Sequence, residues 1–240
     1  MSPNYPRVLP CGDSALTIEF GNEIDARLNE QVIELDREVR RARLPGVIET
    51  VPTYRSLLVH LDPVNSAHAD LILTLSRLAR DVRPQPGKGR RWRVPVVYGG
   101  NFGEDLDALA KARGISPEQA IELHSETTYR VFMVGFMPGF TYLGGLDPRL
   151  ATPRRGTPRR RIPGGSVAIG GGQTAIGSIP SPSGWHLIGR TPVRSFHPDR
   201  NPIFLFEPGD AVEFEPFPAE EWERLEAQFA SGDAFPKSCA

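Results

Sequence analysis

Between Tyr129 and Gly209 the chain is cut by glycine and proline into pieces too short for helices. Fourteen of its 24 glycines fall between Gly135 and Gly209. Both residue types weaken helix interiors, so no helix of ordinary length is expected to cross this region. Short apolar runs stand between the breaks: Val131 to Phe136, Ser166 to Ile169, His186 to Ile188, Ile203 to Phe206 and Ala211 to Phe214. Many short strands divided by turn residues predict a β-barrel or sandwich. A last helix is expected over about Ala219 to Phe229.

The first third reads differently. Leu16, Ile18 and Phe20 alternate as in a half-buried strand. Leu28, Val32, Leu35 and Val39 then recur at three or four residues, predicting a helix from about Glu23 to Arg43 with Asn22 as N-cap and Pro45-Gly46 as its stop. Val47 to Val51 and Ser56 to Leu61 read as strands, and Ser66 to Val82 as a second amphipathic helix. The order β-α-β-β-α suggests a small α+β sandwich of the ferredoxin-like kind.

Arg83 to Arg91 contains only proline, glycine, glutamine and charge, the texture of a domain linker. The expected division is therefore one domain over residues 1–85 and another over 91–240. The second begins with a strand, Trp92 to Tyr98, and two helices, about Asp105 to Arg113 and Pro117 to Glu126. Ser116, Pro117 and Gln119 form the start signal of the latter: N-cap, first helical position and capping-box position.

Charge narrows the partner classes. The chain has 28 basic and 29 acidic residues, whereas nucleic acid or an anionic membrane calls for a basic excess. Cys11 and Cys239 lack a further Cys or His at metal-ligand spacing, so neither a zinc site nor a disulfide is expected. The first residues have no apolar signal-peptide core, and no apolar run approaches the roughly 18 residues of a membrane span. The expected setting is cytoplasmic.

The chemistry-bearing residues cluster between Gly135 and Pro192. Phe136, Phe140 and Tyr142 read either as a packed barrel corner or as an apolar pocket with Tyr142 as its polar tip. Arg154, Arg155, Arg159, Arg160 and Arg161 follow, with Pro153 and Pro158 stiffening the backbone that carries them. A guanidinium fork suits a carboxylate or phosphate, so at least one of Arg154, Arg155, Arg159 and Arg161 is a candidate anion ligand, a salt bridge at a subunit interface being the competing role. Gly164-Gly165 and Gly170-Gly171-Gly172 match no phosphate-loop pattern and read better as hairpin turns. Gln173, beside the triple glycine, offers both a donor and an acceptor to a ligand. His124 closes a helix, where the dipole favours a cation, and a site role remains open for it. His186 and His197 have no second metal ligand at spacing, and no Ser-His-Asp set is evident. Spacing names no catalytic base.

Longer matches identify a family. Tyr129-Arg130-Val131, Gly135-Phe136-Met137-Pro138-Gly139-Phe140-Thr141-Tyr142-Leu143 and Leu146-Asp147-Pro148-Arg149-Leu150 resemble the KipI family. That family is also called allophanate hydrolase subunit 1, the PxpB component of 5-oxoprolinase, or the carboxyltransferase C/D type. Thr152-Pro153-Arg154, Thr157-Pro158-Arg159, Ile162-Pro163-Gly164-Gly165-Ser166-Val167, Gly172-Gln173-Thr174 and Gly184-Trp185-His186-Leu187-Ile188-Gly189-Arg190-Thr191-Pro192 resemble it as well. Gly12-Asp13-Ser14-Ala15-Leu16 extends the resemblance to essentially the whole chain.

The resemblance implies a ferredoxin-like domain followed by a cyclophilin-like β-barrel. It also implies a KipA/PxpC-type partner and a LamB/YcsF (PxpA)-type third subunit, together forming an ATP-dependent 5-oxoprolinase that opens 5-oxoproline to glutamate. ATP would be shared with the partner, and no metal is expected in this chain. Related alternatives are the carboxyltransferase half of a biotin-dependent urea carboxylase and a KipI-type histidine-kinase inhibitor. The substrate would be a small lactam bearing a carboxylate. Arg154 or Arg159 is then the expected anion ligand, Gln173 and Tyr142 orient the ligand, Trp185 is an apolar wall and His124 an additional candidate. One stretch departs from the family's Gln-Thr-Gly-Ile-Tyr-Pro: Gln173-Thr174 is followed here by Ala175-Ile176-Gly177-Ser178.

Overall fold

The computed structural model describes residues 4–84, 87, 89–230 and 237–239. The chain divides into two units, Met1–Lys88 and Gly89–Ala240, with the division inside the stretch read as a linker. Residues 85, 86 and 88 of that stretch lie outside the described ones.

The first unit runs β1 (Arg7–Pro10), β2 (Ala15–Glu19), α1 (Ala26–Ala42), β3 (Val47–Pro52), β4 (Ser56–Leu61) and α2 (His68–Asp81). Its sheet is antiparallel in the order β1-β2-β4-β3. The β-α-β-β-α order read from the sequence is present, with β1 added at the edge beside β2. Leu16 and Ile18 meet Leu57, Val59 and Leu61, and Val32, Leu35 and Leu75 cover them from the helices. Each such buried side chain contributes about 1.5–3 kcal/mol relative to exposure. Helix α1 is capped by Asp25, not Asn22: the Asp25 carboxylate accepts from the Arg27 and Leu28 N–H groups. The helix thus starts three residues later than Asn22 would place it, because a carboxylate at Asp25 can satisfy two of its free N–H groups.

The second unit runs β5 (Arg91–Tyr98), α3 (Leu106–Arg113), α4 (Pro117–Ser125), β6 (Tyr129–Val134), β7 (Thr141–Gly144), β8 (Arg159–Ile162), β9 (Ser166–Gly170), β10 (Gln173–Ile176), β11 (Ser181–Ser183), β12 (His186–Arg190), β13 (Ala211–Phe217), α5 (Trp222–Phe229) and β14 (Lys237–Cys239). Strands β12, β9, β10, β7, β6, β13 and β5 are neighbours in that order. Gly189 and Arg190 of β12 pair back onto Tyr98 and Val97 of β5 and close the ring. The result is a β-barrel whose β5 and β13 run parallel. Closure removes the exposed edges that so many short strands would otherwise present. Val94, Val96, Val131, Leu143, Val167, Ile169, Ile176 and Ile188 form its interior.

The Ser116 N-cap and its reciprocal bond with Gln119 open α4 as the sequence indicates. The run Ile203 to Phe206 is not a strand; Phe204 makes one isolated bridge to Phe196. The Leu205 N–H donates to the Ser195 carbonyl and the His197 N–H to that of Ile203. The buried Arg200 guanidinium adds bonds to the carbonyls of Arg194, Pro202 and Ile203, so a side chain supplements a minimal backbone pairing. At the other end of the unit, residues 219–221 form a 3-10 turn, shortening the expected last helix to α5. No described helix is long and apolar enough to cross a membrane.

Candidate functional site

Successive residues of a strand face opposite sides of the sheet, and along β9 both sides are buried. Val167 and Ile169 point into the barrel core, whereas Ala168 joins Phe140, Ile162, Ala175, Trp185 and Leu187 in a second cluster on the outer face. Cross-strand pairing sets Ala175 beside both Ala168 and Tyr142. Small residues in the sheet thus make room for aromatic rings, which pack over them as a shallow cup. Phe140 and Tyr142 have ring centroids 4.8 Å apart, and Tyr142 and Trp185 meet edge-on at 5.9 Å. Apolar walls enclosing a few polar groups are the usual form of a small-molecule site.

Trp185 is 6% exposed and lies against Gly170: a Cβ at Gly170 would be 2.5 Å from the indole. The Arg154 guanidinium stands over the ring system, 5.4 Å from its centroid. Arg154 is exposed and makes no ion pair with any described residue. Its charge acts on Tyr142, whose hydroxyl is pushed above the ordinary tyrosine range by burial and drawn partly back by Arg154. Gln173 opens β10 opposite Gly170, two residues before Ala175 and on the same face. Its amide nitrogen is buried and has no hydrogen-bond partner among the described residues. Tyr142, Trp185, Arg154 and Gln173, separated along the sequence, therefore share one cup.

Two other candidates lie elsewhere. Arg159 turns its fork to Asp105, at 2.8 and 2.9 Å, and reaches Glu104 at 3.2 Å. Arg155 donates to the same Asp105 at 2.9 Å, and the Leu187 N–H completes it at 2.7 Å. Burial pushes the Asp105 carboxyl up, but the Arg159 and Leu187 hydrogen bonds and both arginine charges outweigh it and hold the group below the usual range. This network ties the start of α3 to β8 and β12. Arg155 and Arg159 are thus engaged in ion pairs within the chain, not at the subunit interface the sequence reading offered as the alternative, and Arg154 is left facing the cup.

His124 lies inside the barrel, fully buried, and is not a helix-terminal cation. Its ring stacks on Phe214 at 4.7 Å. Nδ1 is 2.8 Å from the Tyr98 hydroxyl and Nε2 2.9 Å from Thr174 Oγ1. Thr174 donates its own proton to the Ala168 carbonyl, so it accepts from Nε2–H, and Nδ1 accepts from Tyr98. Burial lowers the histidine pKa to about 3. The imidazole is a neutral link from α4 to β5 and β10, bonded to the residue that follows Gln173.

The glycine runs are turns. Gly171, with φ of +65°, turns β9 into β10, and Gly164-Gly165 occupies the turn before β9. At Gly177, where the sequence departs from its family, a Cβ would meet Ser166, Ile162 and Phe140 at 3.6–3.9 Å. These are ordinary van der Waals distances, so Gly177 packs against the Phe140 side of the cluster and a first side-chain carbon would fit there.

Sequence reasoning does not single out Asp105, Tyr98, Thr174 or Phe132. Asp105 resembles any helix-start acid, and its arginine partners lie 50 and 54 residues away. Phe132 covers Gly144 beside the cup, an approach set by the barrel's register.

Comparison with known proteins agrees with this architecture. The family described as "Carboxyltransferase domain, subdomain C and D" matches residues 6–206. The B subunit of 5-oxoprolinase from Bacillus subtilis (strain 168) is 40% identical over 217 residues, covering 85% of this chain and 89% of that protein. Among solved structures, TTHA0988 has a TM-score of 0.76 at 35% identity over 85% of this chain. The present chain spans only 40% of that longer one. The Kluyveromyces lactis urea carboxylase has a TM-score of 0.79 over 97% of this chain and 23% of its own; at 22% identity it shows a shared fold.

Proposed function

Because the chain belongs to the carboxyltransferase subdomain C and D family, which it shares with the 5-oxoprolinase B subunits, we propose that it acts as one subunit of an ATP-dependent 5-oxoprolinase. The observation that carries this reading is Arg154, a guanidinium without a carboxylate partner among the described residues, poised on Trp185 at the rim of an aromatic cup. A small ring bearing a carboxylate is the complement: Arg154 holds the carboxylate, and Tyr142 and Trp185 flank the ring. The finer fold assignment belongs to the same proposal, a ferredoxin-like first unit and a cyclophilin-like barrel.

The lactam bond is stabilised by resonance and resists water. Transfer of the γ-phosphoryl group of ATP to the ring carbonyl oxygen would activate that carbon. Water then adds there, the ring C–N bond breaks, phosphate leaves, and glutamate results. The glycine segments of this chain are engaged as turns, so the reading assigns the nucleotide's phosphates to a site completed by a KipA/PxpC-type partner, with a LamB/YcsF (PxpA)-type third subunit. Hydrolysis of a cyclic amide within a cytoplasmic hetero-oligomer is the activity proposed.

ATP-dependent glutamate formation from 5-oxoproline, measured in extracts of the source organism with and without this chain, tests the reading. Activity should vanish on deletion and return with the chain. Unchanged activity in an extract with no second oxoprolinase would refute it. Dependence on added biotin would point instead to a carboxyltransferase.

A further inference from the structure

Gln173 lies in the sheet between two glycines, each overlaid by an aromatic ring. On one side its ladder neighbour is Gly170, whose side-chain space is filled by the Trp185 indole at 2.5 Å from where a Cβ would lie. On the other side, the β10–β7 register that pairs Thr174 with Leu143 continues to Gly144. There the Phe132 ring fills the corresponding space, 1.6 Å from where a Cβ would lie. Two glycines thus bring two rings down on either side of one amide. Neither glycine has a side chain that can pair with it, and the Gln173 amide nitrogen is buried without a partner among the described residues.

A buried donor left unmade costs about 1–3 kcal/mol. The group that would satisfy it must accept a hydrogen bond and be flat enough to enter between rings, as a carbonyl is. Thr174, the next residue, is fixed by His124 and Ala168, so the backbone at the start of β10, from which the Gln173 side chain projects, is held in place.

We propose that Gln173 is the residue that selects a cyclic amide over a cyclic amine of the same size, by donating its amide N–H to the ring carbonyl oxygen. This rests on the 5-oxoprolinase reading and assigns the two ends of the ligand: carboxylate to Arg154, carbonyl to Gln173. A single neutral donor leaves the second lone pair of that oxygen free for phosphoryl transfer. Gln173 therefore positions the nucleophilic atom and exchanges no proton with it.

The test is calorimetric binding to the chain assembled with its partner subunits, using 5-oxoproline, L-proline (no carbonyl) and 2-pyrrolidone (no carboxylate), for wild type, Gln173→Ala and Arg154→Gln. Gln173→Ala should weaken 5-oxoproline and 2-pyrrolidone about tenfold or more, the worth of one buried hydrogen bond, and leave L-proline unchanged. Arg154→Gln should weaken 5-oxoproline and L-proline and spare 2-pyrrolidone. If wild type binds 5-oxoproline but Gln173→Ala binds it equally well, the role of Gln173 is overturned and the oxoprolinase reading stands. Equal weakening of all three ligands by Gln173→Ala would show a merely structural role and overturn it too. If wild type binds no 5-oxoproline, both readings fall.

Discussion

Acid should unfold the barrel unit through His124, and the size of the effect follows from where that ring lies. In the folded protein the imidazole is fully buried, stays neutral and has a pKa of about 3, against an ordinary 6.5. Once unfolded it regains the ordinary value. Between these pKa values the unfolded chain therefore holds one more proton than the folded one, and folding stability falls as pH falls. The loss begins near pH 6.5, grows by a factor of about ten in the folded-to-unfolded ratio per pH unit, and ends near pH 3. It reaches about 2 kcal/mol by pH 5 and about 4–5 kcal/mol in full. That is a large fraction of the roughly 5–15 kcal/mol that holds a domain together.

The assay has a built-in reporter. All three tryptophans, Trp92, Trp185 and Trp222, lie in the second unit, so urea unfolding followed by their fluorescence reads the barrel alone. His124→Gln supplies an amide of similar reach that does not titrate. At pH 7.5 it should cost about 1–3 kcal/mol through imperfect pairing with Tyr98 and Thr174. Between pH 6.5 and 4 its stability should decline less steeply than wild type by one proton's worth, the carboxylates contributing equally to both. Parallel curves for the two proteins across that range would refute the reasoning, because the histidine would then not be held neutral by the fold.

Three further outcomes are expected. Asp105→Asn removes the shared partner of Arg155 and Arg159, which are partly exposed, and should cost about 2–4 kcal/mol in thermal or urea unfolding. In wild type the same carboxylate, held below its ordinary pKa, contributes stability above that pKa that is lost as pH falls through the folded value. Gly170→Ala drives a Cβ into the Trp185 indole and should cost about 1–3 kcal/mol while shifting Trp185 fluorescence; an unshifted spectrum would contradict the contact. Arg154→Gln should raise KM for 5-oxoproline at least about tenfold with kcat little changed and melting temperature nearly constant, because the side chain is exposed and its ring contact is worth only about 0.5–1 kcal/mol.

The helices are legible because their information is local. The 3.6-residue spacing of Val32, Leu35 and Val39 and the Ser116–Gln119 capping box are complete within a few turns of chain. Strands β7 and β10 are not legible as strands, although their residues stand out by type. Each is buried on both faces, against the barrel core and the aromatic cluster, so no polar alternation marks it. The short β1 escapes notice too, its four residues lying between Pro6 and a terminal Pro10. Residue type and family resemblance point to Tyr142, Gln173, Trp185 and Arg154, but nothing in their spacing places them together.

What the sequence alone determined was the family, the division near the Pro- and Gly-rich stretch, the helices, and a second half made of short strands. Only the tertiary structure decided what each polar side chain is for. Arg154 and Arg159 are the same residue type five positions apart, yet an indole face carries the first and Asp105 claims the second. His124 closes a helix that looks exposed in sequence and is sealed inside a barrel whose walls come from β5, β10 and β13. A guanidinium, an amide and an imidazole have no fixed role until ring closure and strand register choose their neighbours, and those neighbours lie tens of residues away along the chain.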